Sequence, residues 1–247
     1  MYRIRSKFYK KDDMIFISHL DLVRLFERAF RRARIPIAYT QGFNPHPIMA
    51  FATALGIGIS SEGEYIDIEV TEKIELKEFM DRLNNVLPKG LEVINSQYIS
   101  KDQDSLMAII QFSSYAVKII LTEKIDLEEL KDKLNSFLDL KEIIEIKEKK
   151  KKKSYKKSYK NQVQEINIRD HIKHINIVKK EDNQVLLDML LATGSSGNLK
   201  PETVVKKLQE KMELPIELDK TRVHRIELFK EIEPHFLTPL DIATLYR

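Results

Sequence analysis

Two apolar periods alternate along this chain in one order, strand, helix, two strands, helix, strand, and that order then begins again. Residues 2–8 alternate Tyr2, Ile4, Ser6 and Phe8 with Arg3, Arg5 and Lys7, the pattern of a half-buried strand with a cationic outer face. Ser18 followed by Asp21 marks a helix start, and the helix runs to about Arg34. At about 100° per residue, Leu22, Leu25, Phe26, Ala29 and Phe30 share one arc and Arg24, Arg28, Arg31 and Arg32 lie opposite. Pro36 ends the helix, residues 37–39 and 47–53 read as strand pieces, and residues 64–70 form an alternating strand. Leu76, Phe79, Met80 and Leu83 then mark a core-facing helix, and residues 91–99 another strand.

Residues 115–121 restart the series, followed by a helix on Leu127, Leu130, Leu134 and Phe137. Strands follow at 142–147, 184–192 and 222–229, with a helix at 201–212 that opens on Pro201. This order predicts an α+β protein of two tandem ferredoxin-like (βαββαβ) domains, residues 1–100 and 114–230, each an antiparallel sheet with helices on one face. Residues 101–113 read as a connector, 148–183 as an insertion in the second domain, and 231–247 as a C-terminal tail. The halves share no residue-level repeat.

The chain has no cysteine, which excludes disulfides, thiolate zinc sites, cysteine nucleophiles and thiolate-held iron–sulfur clusters. No apolar run approaches the roughly 20 residues that span a bilayer, and the basic, polar N-terminus carries no signal core. The expectation is a cytoplasmic protein with no membrane partner. The net charge of +4 hides two concentrations of positive charge. Residues 1–60 hold ten Arg/Lys against four Asp/Glu, and residues 147–160 hold nine Lys against one Glu, so the remainder is acidic.

Four features could carry function. The Arg24/Arg28/Arg31/Arg32 face suits phosphate, because guanidinium forks pair with phosphate oxygens and Asp21 and Glu27 are too few to neutralise four of them. Its bland alternative is a solvated helix face. The segment Gln41, Gly42, Phe43, Asn44, Pro45, His46 and Pro47 is a loop stiffened by two prolines, presenting an aromatic and a histidine for recognition, or else a structural turn with Phe43 in the core. His19 and His46 are weak candidates for an acid–base pair. A two-histidine metal site would need a third ligand such as Glu64 or Asp67, which the spacing does not mark, so neither metal nor cofactor is expected.

Within the insertion, Lys150, Lys152, Tyr155, Lys156 and Tyr159 interleave cations and rings as an RNA-binding arm does, or form a solvated extension. His171 and His174 are expected to pack locally. Gly194, Ser195, Ser196, Gly197, Asn198 and Lys200 lie between a strand and a helix start, a setting for an anion-binding loop or a plain flexible turn.

The run from Phe16 through Ser18, His19 and Asp21 to Gln41-Gly42-Phe43-Asn44-Pro45-His46-Pro47 resembles the bacterial radical-SAM-associated protein family, a domain of unknown function. Gly63 to Glu69 and Gly194 to Pro201 resemble it too, with Lys200 where arginine is expected. The resemblance implies a partner, a radical-SAM enzyme encoded beside or fused to such a domain. Without cysteines to hold a cluster, this chain would act as a non-catalytic accessory or substrate-recognition subunit, binding RNA or a ribonucleoprotein. The alternatives are a metal-independent RNA endonuclease similar to ferredoxin-like CRISPR-processing proteins, with His19 and His46 as acid and base, and a protein-only adaptor.

Overall fold

Strand β1 (Tyr2–Lys10) forms where the alternation is strictest, and both its edges are paired antiparallel, to β3 (Ser60–Val70) and to β4 (Leu91–Ile99). The computed structural model, which describes residues 1–149 and 162–245, extends this core into a nine-stranded, mostly antiparallel sheet of a mixed α+β protein. Its path is β4-β1-β3-β10-β5-β9-β8, where β5 is Phe112–Ile120, β8 Ile172–Glu181, β9 Gln184–Ala192 and β10 Arg222–Ile232. β2 (Met49–Phe51) pairs with β3, and β11 (His235–Leu237) with β10.

Two helical layers cover one face. Helices α1 (His19–Arg32) and α2 (Leu76–Asn84) bury Leu22, Phe26, Phe30, Phe79 and Leu83 against Ile4, Phe8, Ile66, Ile68 and Val70. Helices α4 (Leu127–Leu138) and α5 (Pro201–Met212) bury Leu130, Phe137, Val204 and Leu208 against Val117, Ile119, Val185 and Leu187.

Several expectations need correction. The halves do not carry separate sheets. β3 and β10 run parallel side by side, with His224 opposite Ser60 and Arg225 opposite Ser61. A Cβ on Gly63 would lie 2.5 Å from the Ile226 carbonyl oxygen and 2.6 Å from Glu227 Cα, so this seam closes only over a residue without a side chain. Residues 142–147 do not enter the main sheet. β6 (Ile144–Lys149) pairs with β7 (Gln162–Asn167) in a separate ribbon. The sheet position expected for it belongs to β8, inside the presumed insertion, whose Ile172 and Ile175 join the core.

The connector and the tail are also structural. Helices α3 (Leu106–Ile109) and α6 (Pro239–Leu245) supply Leu106, Ile109, Leu240 and Ile242 to a cluster with Tyr65 and Leu228. Tyr65 alternates with Ile66 along β3, so this cluster covers the sheet face opposite the four long helices. For the same reason the cationic side of β1 is not an outer face. Arg5 is 1 % exposed, and it bonds Asp67 on β3 and the Pro239 carbonyl. Charged strand residues are buried there because carboxylates distant in sequence meet them.

Candidate nucleic-acid interface

Helix α1 begins where Ser18 accepts a hydrogen bond from the Asp21 amide and donates one to its carboxylate, closing the capping interaction read from the sequence. Phe26 fixes the roll of the helix by packing edge-on against Phe8 and Phe51. That roll leaves Arg24, Arg28, Arg31 and Arg32 exposed, and Arg34 beyond the helix end is exposed as well. Arg24 has one carboxylate nearby, Asp21 at 3.5 Å. Arg28, Arg31, Arg32 and Arg34 have no side-chain hydrogen bond or ion pair among the described residues.

The other arginines of the described residues are all engaged. Arg3 and Arg5 bond Asp67, Arg82 bonds the carbonyls of Ala33 and Arg34, and Arg169 bonds the Leu138 carbonyl. Arg222 bonds the Asp219 carbonyl, and Arg225 bonds Glu64. Uncommitted guanidinium groups are thus concentrated on one helix and the turn after it, with spacings of three and four residues that place neighbours about 5–6 Å apart at Cβ.

The 40–47 loop projects from the strand pieces that follow this helix. Tyr39 bridges to Pro47, the Thr40 amide donates to the His46 carbonyl at 2.9 Å, and the His46 amide returns a bond to Thr40 Oγ1 at 3.0 Å. Gly42 sits at φ +129°, a conformation that side chains oppose. Phe43 at the tip is fully exposed, which removes the reading of it as a core residue. Gln41 and Asn44 are exposed beside it, and Asn44 Nδ2 lies 3.1 Å from His46 Nε2.

His19 and His46 are occupied separately. The His19 ring meets Phe51 edge-on at 5.4 Å, the His46 ring pairs with Asn44, and no hydrogen bond joins the two. Glu64 and Asp67, the possible third ligands, are buried against Arg225 and Arg5. His174 pairs with Asp188 at 2.8 Å, the local packing expected of it.

The glycine-rich loop divides in two. A Cβ on Gly194 would sit 2.4 Å from the Ile110 carbonyl oxygen, and the Ser195 amide and hydroxyl both donate to that oxygen at 3.1 Å. Gly194 and Ser195 therefore anchor the loop rather than face a ligand. Gly197, Asn198 and Lys200 instead line a cavity of about 490 Å³ beside the β6–β7 ribbon, together with His171. Lys150, Lys152, Tyr155, Lys156 and Tyr159 lie outside the described residues.

Sequence reading missed a buried charge network at the seam. Lys7 pairs with Glu227 at 2.5 Å, and Glu227 also accepts from the Tyr65 hydroxyl at 2.8 Å. Burial, and then the adjacent Glu227 carboxylate, push the Tyr65 hydroxyl above its ordinary range. Lys10 is 2 % exposed and donates to the carbonyls of Ile15 and Ile17, and burial lowers its pKa against the opposing pull of Glu64. The available signal was the matching of cations on β1 with Glu64, Asp67 and Glu227 in later strands.

No helix among the described residues is long and apolar enough to cross a membrane. No curated protein sequence matches the chain. Solved structures similar to it include a Cbf5–Nop10–Gar1 complex and an archaeal box H/ACA sRNP Nop10–Cbf5 complex. Each matches at 9 % identity and TM-score 0.48, over 93 % of this chain and 50 % of the other. An H/ACA RNP bound to a substrate RNA containing 2′-deoxyuridine matches at 8 % identity and TM-score 0.47, over 94 % and 49 %. The chain spans about half the length of these solved chains. Residues 3–201 match a family model, and the chain belongs to that family, described as an uncharacterized protein conserved in bacteria (DUF2344).

Proposed function

We propose that the exposed arginine row of α1, with the Phe43 loop beyond it, binds RNA, and that the chain is a substrate-recognition subunit rather than the catalyst. The observation carrying this reading is the contrast among arginines: four described guanidinium groups on and just after one helix lack an acceptor, while those elsewhere have one. Exposed arginines and a protruding ring are the two components of single-strand binding, charge for the backbone and a surface for a base. The radical-SAM partner rests only on the resemblance carried by residues 16–47, 63–69 and 194–201.

The two halves also read as ferredoxin-like units fused through their sheets. Each orders its strands fourth, first, third, second: β4-β1-β3-β2 and β10-β5-β9-β8. Nothing in the geometry favours the endonuclease, since its two candidate histidines have separate partners.

The test is RNA affinity measured against salt. For single strands, log K should fall with log salt at a slope near −0.7 per phosphate contacted. The Arg28→Ala/Arg31→Ala variant should flatten the slope by about 1.4 and weaken binding to all sequences alike. A salt-independent affinity, or an unchanged slope in the variant, would dismiss the RNA reading. Stoichiometric retention of a protein without RNA would replace it with the adaptor.

A further inference from the structure

The cavity of about 490 Å³ beside the β6–β7 ribbon has features that the arginine row does not explain. Lys147 from β6 and Lys200 before α5 both line it, and neither has a carboxylate within 4 Å among the described residues. His171, from the short turn before β8, has no hydrogen bond to its ring among the described residues. Gly197 is pressed against that ring: a Cβ there would lie 3.2 Å from His171 Cε1 and Nε2, and φ is +136°. Among the described residues the one lining carboxylate, Glu145, is already paired with Lys207 at 3.3 Å. The lining also includes Ile166, Ile168 and Leu199, of which Ile166 is partly buried and the other two are buried.

We propose that this cavity binds a nucleoside monophosphate, free or as the phosphorylated end of an RNA strand. The volume is too large for a bare phosphate and lies in the range of small-ligand sites. Two lysines without internal partners supply the charge for a phosphate, which attracts ammonium groups as point charges. An unpartnered imidazole and the Asn198 amide supply hydrogen bonds, and the partly buried Ile166 side chain offers an apolar surface to a base. The site is independent of the arginine row and does not rest on the reading given for it.

Adenosine 5′-monophosphate, adenosine and inorganic phosphate are titrated separately into the full chain at low salt. Binding is read by calorimetry and by the His171 imidazole resonances. The monophosphate should bind at least about tenfold more tightly than either fragment and shift the His171 signals. The Lys147→Glu/Lys200→Glu variant, changed at exposed positions, should lose about tenfold or more in affinity. Arg28→Ala/Arg31→Ala should bind the monophosphate as the parent does, which separates failure here from failure of the RNA reading.

Competition by an oligonucleotide only when it is 5′-phosphorylated would identify a strand end as the ligand. Competition by neither form would identify the free nucleotide. Unmoved His171 signals, equal affinity for phosphate alone, or full affinity in the double lysine variant would each overturn the proposal.

Discussion

Asp67 accepts hydrogen bonds from Arg3 at 2.7 Å and from Arg5 at 2.8 and 3.0 Å, while it and Arg5 are 3 % and 1 % exposed. Removing one partner of such a pair strands a buried charge, whereas replacing both with apolar groups removes the problem. Asp67→Asn should therefore cost about 3–5 kcal/mol, read from the urea midpoint, and the Arg3→Met/Arg5→Met/Asp67→Leu variant, which leaves no guanidinium without its carboxylate, should cost less than that single change. His224 allows a pH test at the same scale. Burial lowers its pKa from the usual 6.5, against the pull of nearby Glu62, and its Nδ1 lies 2.8 Å from Ser60 Oγ. A histidine with a depressed folded pKa binds fewer protons folded than unfolded as pH falls through 6.5 and below, so its contribution to stability declines there. Urea unfolding at pH 7.5 and pH 5 should show a larger acid loss for the parent than for His224→Gln. Equal losses would mean that the imidazole is not the group responsible.

At the scale of elements, α1 separates stability from binding. Ser18→Ala removes a cap that engages the Asp21 amide and should lower stability by about 1 kcal/mol. Alanine at Arg28 and Arg31 should stay within about 0.5 kcal/mol while weakening RNA binding, because exposed side chains without partners contribute little to folding. The helix was legible because its cap, apolar arc and Pro36 stop are local signals. The same holds for β9 and α5, found at residues 184–192 and 201–212 as expected. α3 and α6 were missed because they have four and seven residues, too few to show a period, and bury themselves against strands distant in sequence, β3 and β10 among them. The sheet position of β8 was given to residues 142–147 because both segments alternate and only tertiary pairing chooses between them. In the candidate site, the glycine and proline neighbours of Phe43 marked a stiff loop but left its ring open between solvent and core, and the structure places it in solvent. The diversion of Ser195 to the Ile110 carbonyl, like the arrival of His171 at Gly197, depends on contacts spanning 26 to 85 residues.

For the whole molecule, the parallel seam between β3 and β10 makes one sheet of the two halves, and the network of Lys7, Tyr65, Glu64, Arg225 and Glu227 crosses it. Separating the halves would break the parallel backbone pairing of β3 with β10 and expose the apolar cluster that Tyr65 and Leu228 share, so each half has a reason to stay with the other. The chain should accordingly unfold as one cooperative unit, with calorimetric and van't Hoff enthalpies in agreement. Gly63 is the position at which to challenge this. A methyl group there meets backbone at 2.5 and 2.6 Å, and backbone cannot yield as a flexible side chain would. Gly63→Ala should cost about 1–3 kcal/mol by overpacking. If the seam is what couples the halves, that cost should appear first as faster amide exchange in β10 and the 60–63 end of β3, with β1–β4 and β5–β9 protection then separating under mild denaturant. Uniform loss of protection across both halves would locate the coupling in the α3 and α6 cover instead, because those helices share one apolar cluster with Tyr65 of β3 and Leu228 of β10.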